Sequence, residues 1–422
     1  MKFNRRRFLQ AFGAAAAAAA TPSIIRANTN ATAHVVVIGG GFAGATVAKY
    51  LRMWSDKTID VTLVDRNASH TSCVMSNLVL NRRLRLSELE LSYESLSGFY
   101  GVNVIQDSAM EILGDGKRVE LESGTILNCD HLVIATGIEF DAPEGTDFEK
   151  TPHAWIAGPQ TTLLANQINA MPDGGNFVMT IPKSPYRCPP GPYERACLAA
   201  DIIRRNDRGG TVTVLDANAG IQAEVETFSK AFFDLYGDII DYHTGVAVDS
   251  VDSDARVVVA ESNDKFQGDV VNIIAPQRAL RFVRESGLTG GKDWAGVDLL
   301  TYASTEPGFE TVHIIGDSQG SNQPKSAHMA NSQAKVCADA ILRSLAGLPT
   351  NSDERVKNIT TNSACYSPIT YDEASWLTAN YAFNVETGMM EKKHGGEADH
   401  WNKDNYEEMF AWASNLFTDS FH

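Results

Sequence analysis

Three of the six cysteines stand in settings that suit sulfur chemistry. Cys73 lies in a polar loop, Arg66-Asn-Ala-Ser-His-Thr-Ser-Cys73-Val-Met-Ser-Asn77. Cys188 comes just before Pro189-Pro-Gly-Pro192, at the start of a helical pattern that runs through Ile203, and Cys365 belongs to a tail rich in Trp, Tyr and Phe. A thiolate at a helix amino terminus is stabilised by the dipole and by unpaired N–H groups, so Cys188 is expected to have a lowered pKa and to be a good leaving group. Cys197 lies further along the same pattern, roughly 13 Å away on the axis of a continuous helix, which is beyond disulfide reach. The plainer readings are a half-buried thiol at Cys73, a structural disulfide at Cys188, and free core thiols at Cys129, Cys197 and Cys337. Glu194, six residues after Cys188, reads at the least as a first-turn carboxylate that favours the dipole.

The element that must position these residues begins upstream. His34-Val-Val-Val-Ile38 is an apolar run that breaks into Gly39-Gly-Gly41-Phe-Ala-Gly44 and then an alanine-rich helix. Gly39 permits the bend, Gly41 lets backbone approach a pyrophosphate, and Gly44 lets helix and strand pack closely. Ile59 to Asp65 reads as the next strand, and Asp65, with Arg66 after it, stands where a ribose hydroxyl would be held. A strand from His131 ends in Ala135-Thr136-Gly137, and another from Thr311 ends in Gly316-Asp317. Together these three markers point to FAD. The strand ending at Ile181 is followed by five prolines and one glycine instead of a second glycine turn, so NAD(P)H is not the expected reductant. Lys325, near the start of a helix through Leu345, is a candidate for placing positive charge by a flavin ring, a solvated or phosphate-facing lysine being the plainer reading.

The fold class expected is α/β, with two Rossmann-like dinucleotide-binding domains of glutathione-reductase type and a carboxy-terminal interface domain. A chain of 422 residues, 43% hydrophobic, has core enough for that division. The boundaries expected are a signal peptide over 1–27, a first FAD-binding segment over 28–150, a second nucleotide-binding-like domain over 151–276, a second FAD-binding segment over 277–350 and the tail over 351–422. Arg5-Arg-Arg-Phe-Leu9 followed by a short alanine-rich run reads as a twin-arginine export signal, which places the folded protein in the periplasm. Cleavage after Ala27 would leave 31 basic and 52 acidic residues, a net charge of −21. That balance argues against nucleic acid and suits docking to a basic partner. His70 and His328 have no convergent ligand set, so no metal is expected, and the absence of C-x-x-C-H puts any haem on another chain.

The whole length resembles the flavoprotein subunit of flavocytochrome c sulfide dehydrogenase, a relative of sulfide:quinone oxidoreductases. The resemblance is carried by Ser72-Cys73-Val-Met-Ser-Asn77, Arg187-Cys188-Pro-Pro-Gly-Pro-Tyr-Glu194, Pro276-Gln-Arg278, Gly316-Asp317, Pro324-Lys325-Ser326 and the segment around Trp412. It implies FAD bonded through the sulfur of Cys73, and a redox-active disulfide between Cys188 and Cys365 beside the flavin. The mechanism expected on that basis is hydrosulfide attack on that disulfide, addition of the freed thiolate to the flavin, and electrons passed singly to haem on a cytochrome c subunit, with Glu194, six residues after Cys188, as the candidate proton acceptor. Two alternatives stay open. One is a sulfide:quinone oxidoreductase, and the other is a flavoprotein accessory partner of a sulfur-oxidising complex.

Overall fold

The structure is a computed structural model, and it describes residues 32–422. The expected export signal lies outside the described residues. The first sheet is parallel throughout, in the order β9-β4-β1-β2-β3, from β1 (His34–Ile38), β2 (Asp60–Asp65), β3 (Asn103–Gln106), β4 (His131–Ile134) and β9 (Val312–Ile314). Both faces of such a sheet must be covered, which is why β1 is apolar at every position after His34. Val35 and Val37 face the core shared with helices α1 (Phe42–Trp54) and α3 (Ala327–Leu345). Val36 and Ile38 face a core closed by the antiparallel strands Ala109–Leu113, Arg118–Leu121 and Ile126–Asn128.

The second sheet is also parallel, in the order β7-β6-β5-β8, from β5 (Asn176–Ile181), β6 (Thr211–Asp216), β7 (Ile240–Thr244) and β8 (Val270–Ile273). One face packs on helix α2 (Gly191–Asn206) and the other on the ribbon Val248–Asp252, Val257–Ala260 and Lys265–Gln267. The chain passes between the two sheets twice, and the passages pair with each other, Ile138–Phe140 running antiparallel to Gln277–Ala279.

The tail forms an antiparallel meander, β10 (Thr360–Pro368), β11 (Ala374–Asn384) and β12 (Met389–Glu397), and then helix α4 (Lys403–Phe421). α4 lies along α1. Lys49 Nζ donates to the carbonyls of Thr418, Asp419 and His422, and Asn331 of α3 donates to Thr46 Oγ1, Asp419 Oδ2 and Ser420 Oγ. The last turn of α4 thus ties the first and third helices together.

Candidate functional site

At the glycine turn the geometry demands glycine. Gly39 adopts φ +99°, and a Cβ on Gly44 would stand 1.8 Å from the Gly39 carbonyl oxygen. Gly44 therefore takes no part in lining the cavity and acts by letting α1 approach the turn. Gly44→Ala must push the helix from the strand, and is expected to yield protein without bound flavin, measured by the ratio of visible to ultraviolet absorbance. Retention of full flavin would show that the turn can open without cost.

A cavity of about 370 Å³ runs from Gly39 and Gly41 past Asp65, Arg66 and Asn67 to Thr136, Gly137, Gly316, Asp317 and Cys73. Its residues fit FAD. The backbone at Gly41 is open towards it, the nearest atoms to an added Cβ being those of His70 at 3.6 Å and beyond. Asp317 Oδ1 is buried on its wall without a partner, as an oxygen awaiting a ribityl hydroxyl would be. Asp65 divides its work, Oδ2 accepting from Gly40 N at 2.6 Å and Oδ1 from Asn67 N at 2.8 Å. Ser318, which the sequence did not single out, donates to the Gly137 carbonyl at 2.6 Å and meets Thr136 Oγ1 at 3.2 Å, joining two strand ends that are far apart in sequence.

Lys325 is placed otherwise than expected. Its ammonium is buried, donates to the carbonyls of Asp317 (2.8 Å) and Gln319 (2.6 Å), and lies 3.7 Å over the Trp294 ring. Burial lowers its pKa to about 8, against the pull of Asp317. It is neither solvated nor on the cavity wall, and it acts by bracing the turn that carries Asp317.

A second, tighter cavity of about 80 Å³ adjoins the first, and Cys73, Arg187 and Ala327 line both. Cys188, Cys365 and Glu194 share its wall with Trp155, His328 and Trp412. All six cysteines are thiols in the structure, and Cys129, Cys197 and Cys337 are buried. The loop of Cys73 is fixed by Ser72 N donating to the Leu89 carbonyl, and by Arg195 Nε donating to Asn77 Oδ1.

Cys188 corrects the sequence reading. It precedes the helix in a left-handed turn (φ +59°), with its N–H on the Lys325 carbonyl. Its carbonyl, not its sulfur, receives the Gly191 N–H. A Cβ on Gly191 would meet Cys188 Sγ at 2.9 Å, so that glycine makes room for the sulfur. Burial drives the Cys188 thiol well above its ordinary pKa, Cys365, Glu194 and Cys73 adding to the rise and Arg187 opposing it. Burial likewise pushes Cys365 up to about 12. Desolvation, with Cys365, Glu194 and Cys73 close by, is thus the stronger influence on this thiol than the lowering expected from the helix start.

Glu194, in the first turn of α2, is 8% exposed. Burial raises its carboxyl to about 8, with Asn77 and Arg195 opposing and Glu224 reinforcing. Arg187 is the cation both cavities share; its guanidinium donates to the Trp155 carbonyl and its N–H to Gln277 Oε1. Its place beside Cys188 in sequence was the only signal for it. Among the described residues no group of His, Cys, Asp or Glu could hold a metal.

In the second sheet, Asp216 stands at the end of β6, where a nicotinamide nucleotide would look for a ribose acceptor. Its carboxylate is fully buried and occupied by Tyr193 OH (2.8 Å), Tyr242 OH (2.7 Å) and both nitrogens of Asn218.

Residues 161–275 match the family model described as the central part of the sulfide dehydrogenase [flavocytochrome c] flavoprotein chain, and residues 33–154 match the pyridine nucleotide-disulphide oxidoreductase model. Over 48 residues the chain is 52% identical to the sulfide dehydrogenase [flavocytochrome c] flavoprotein chain of Chlorobaculum thiosulfatiphilum, a stretch that is 11% of this chain and 98% of that sequence. The chain belongs to the flavocytochrome c sulfide dehydrogenase flavoprotein family. Members of this family and its sulfide:quinone oxidoreductase relatives are flavin-dependent oxidoreductases that oxidise sulfide, and the cofactor that the family implies is FAD. The mitochondrial sulfide:quinone oxidoreductase of Dictyostelium discoideum is 20% identical over 335 residues, 75% of this chain and 72% of that one. In fold, this chain resembles the sulfide:quinone oxidoreductase of Aquifex aeolicus, with a TM-score of 0.75, 15% identity and 92% of each chain covered.

Proposed function

We propose that the protein is a periplasmic sulfide dehydrogenase flavoprotein that oxidises hydrosulfide to sulfur or polysulfide and passes the electrons to a cytochrome c subunit. The observation that carries this reading is the shared wall of Cys73, Cys188, Cys365 and Glu194, opening through Cys73 onto the cavity that fits FAD. Cys188 and Cys365 are the pair joined in the oxidised form. Hydrosulfide bonds to one sulfur, the S–S bond breaks, and the other sulfur leaves as thiolate with the electron pair. Glu194 takes the proton of the incoming sulfur. A second hydrosulfide removes the sulfur as polysulfide, and the freed cysteines close again, giving up two electrons. FAD supplies the step from two electrons to one when bound. Thr136, Gly137, Asp317 and the glycine turn hold and orient it, while Trp155 and Trp412 exclude water from the thiols.

Cys73 is read as the point of covalent attachment. Acid-denatured wild type should keep its flavin on the peptide containing Cys73, and Cys73→Ser should release it to the supernatant. Free FAD from the wild type would remove the link.

The raised Glu194 carboxyl gives a pH test. It is protonated below about 8 and ionised above, and only the ionised form accepts a proton. Sulfide-dependent flavin bleaching should therefore rise with pH through about 8. Glu194→Gln should flatten that limb and slow bleaching by roughly 100-fold.

A quinone acceptor is the second reading, favoured by the similarity over three quarters of the chain to a sulfide:quinone oxidoreductase. Anaerobic mixing with sulfide, followed by cytochrome c or a quinone analogue, separates the two. Reduction of cytochrome c supports the first reading, and reduction of quinone alone overturns it.

A further inference from the structure

Behind Cys365 lies a buried carboxyl that the chemistry above leaves unused. Glu224 is 4% exposed and adopts a left-handed backbone (φ +48°) just before the short helix Val225–Ser229. A non-glycine residue holds that conformation only where its surroundings impose it. Glu224 Oε2 accepts from Ser367 Oγ at 2.5 Å, and Oε1 is buried with no partner. Ser363, Cys365 and Ser367 alternate onto one face of β10, and Ser375 pairs with Ser367 from β11, so that the serines and the thiol share the face that meets Glu224. Glu194 comes from α2, with Cys197 one turn further along the same helix.

We propose that Glu224 is a positioning residue for the sulfide reaction, a second proton-holding carboxyl that with Glu194 brackets Cys365 and sets which protonation state that thiol takes when its disulfide opens. The proposal rests on the reading of Cys365 as a redox cysteine. The transfer is Glu–COOH with Cys–S⁻ giving Glu–COO⁻ with Cys–SH, and it reverses when the disulfide re-forms. Two buried carboxyls within each other's field do not both ionise readily, so the pair retains a proton near neutrality. Burial raises Glu224 to about 7, with Ser367 and Ser375 opposing and Glu397 reinforcing. The groups facing Cys365 are Glu224, Glu194, Ser363 and Cys73, with Cys188 across the shared cavity, whose own thiol Cys365 raises. Arg195 balances Glu194, and Cys197 lies within the field of both carboxyls.

The test is the pH dependence of alkylation of Cys365 by iodoacetamide in the reduced holoprotein, read on its peptide by mass spectrometry. It needs no sulfide turnover, so its failure is distinct from failure of the proposed function. Glu224→Gln removes a negative charge that opposes the thiolate. It is expected to move the Cys365 midpoint down by about one pH unit and to speed alkylation roughly tenfold at fixed pH below it. Glu224→Asp, which keeps the charge, should restore the wild-type profile. An unmoved midpoint in folded Glu224→Gln overturns the proposal, as does a midpoint that Asp shifts as far as Gln. Should Glu224→Gln fail to fold, Glu224→Met, uncharged and of similar volume, takes its place: a lowered Cys365 midpoint is expected, and an unmoved one overturns the proposal.

Discussion

Cys188→Ser is expected to slow sulfide-dependent bleaching of the bound flavin by roughly 1,000-fold or more, with no loss of flavin content. The two halves of that outcome follow from the two cavities. The glycine turn, Asp65, Thr136 and Asp317 lie on the larger one. Cys188 lies on the smaller, where its sulfur is packed against Gly191 rather than against the nucleotide cradle. A serine oxygen fills nearly the same space but forms no bond that hydrosulfide could open. Anaerobic stopped-flow absorbance at the flavin band is the measurement. Persistent bleaching at the wild-type rate would mean that electrons reach the flavin without this cysteine. Unchanged activation of a partner sulfur-oxidising protein by the variant would point instead to an accessory role.

The second large effect concerns stability. Arg195 is 1% exposed and gives its donors to four acceptors. Nε bonds Asn77 Oδ1 at 3.0 Å, Nη1 bonds the His153 carbonyl at 3.0 Å and Asn272 Oδ1 at 2.9 Å, and Nη2 bonds the Ala154 carbonyl at 2.6 Å. The guanidinium also lies 4.9 Å from the Trp155 ring centre. These partners come from the Cys73 loop, the segment entering the second domain, and β8. Arg195→Leu leaves four buried acceptors short of a donor and Glu194 without its neighbouring cation. The expected loss is about 3–5 kcal/mol of unfolding free energy, the range for breaking a buried charged network from one side. Lysine cannot rescue it, since one ammonium does not span the fork. Chemical denaturation followed by flavin and tryptophan fluorescence measures the loss. A loss below about 1 kcal/mol, the worth of a single ordinary hydrogen bond, would show that the network is dispensable.

Much of the frame was legible because parallel strands buried on both faces write themselves as unbroken apolar runs. The strand expected from Ile59 to Asp65 is observed over Asp60–Asp65, and the strands entering Gly39, Thr136 and Gly316 end within a few residues of those turns. The meander Thr360–Glu397 was not legible as three strands, since β10 carries Ser, Thr or Asn at most of its positions, β12 is largely exposed and charged, and β10 owes its cover to α2 and α3. In the site, motif spacing found the glycines and acids, because backbone geometry dictates them locally. It could not give the roles of Arg187, Arg195 or Glu224, which come from partners 32 to 143 residues away. The pKa of Cys188 was misjudged for a related reason. A helix amino terminus can be seen in sequence, but the closing of a wall around a sulfur cannot.

The position of the last turn of α4 has a consequence for the timing of assembly. Phe421 lies 5.5 Å from both Phe42 and His70 by ring centres, stacked on the latter, and both of those residues line the FAD cavity. The cradle begun by the first strand is therefore closed by residues made almost 400 positions later. During vectorial synthesis, an emerging chain has its phosphate turn early but no back wall, so capture of the nucleotide waits until α4 has emerged and packed on α1. Loss of the last turn of α4 would then act as a cofactor-loading defect before it acted as a catalytic one.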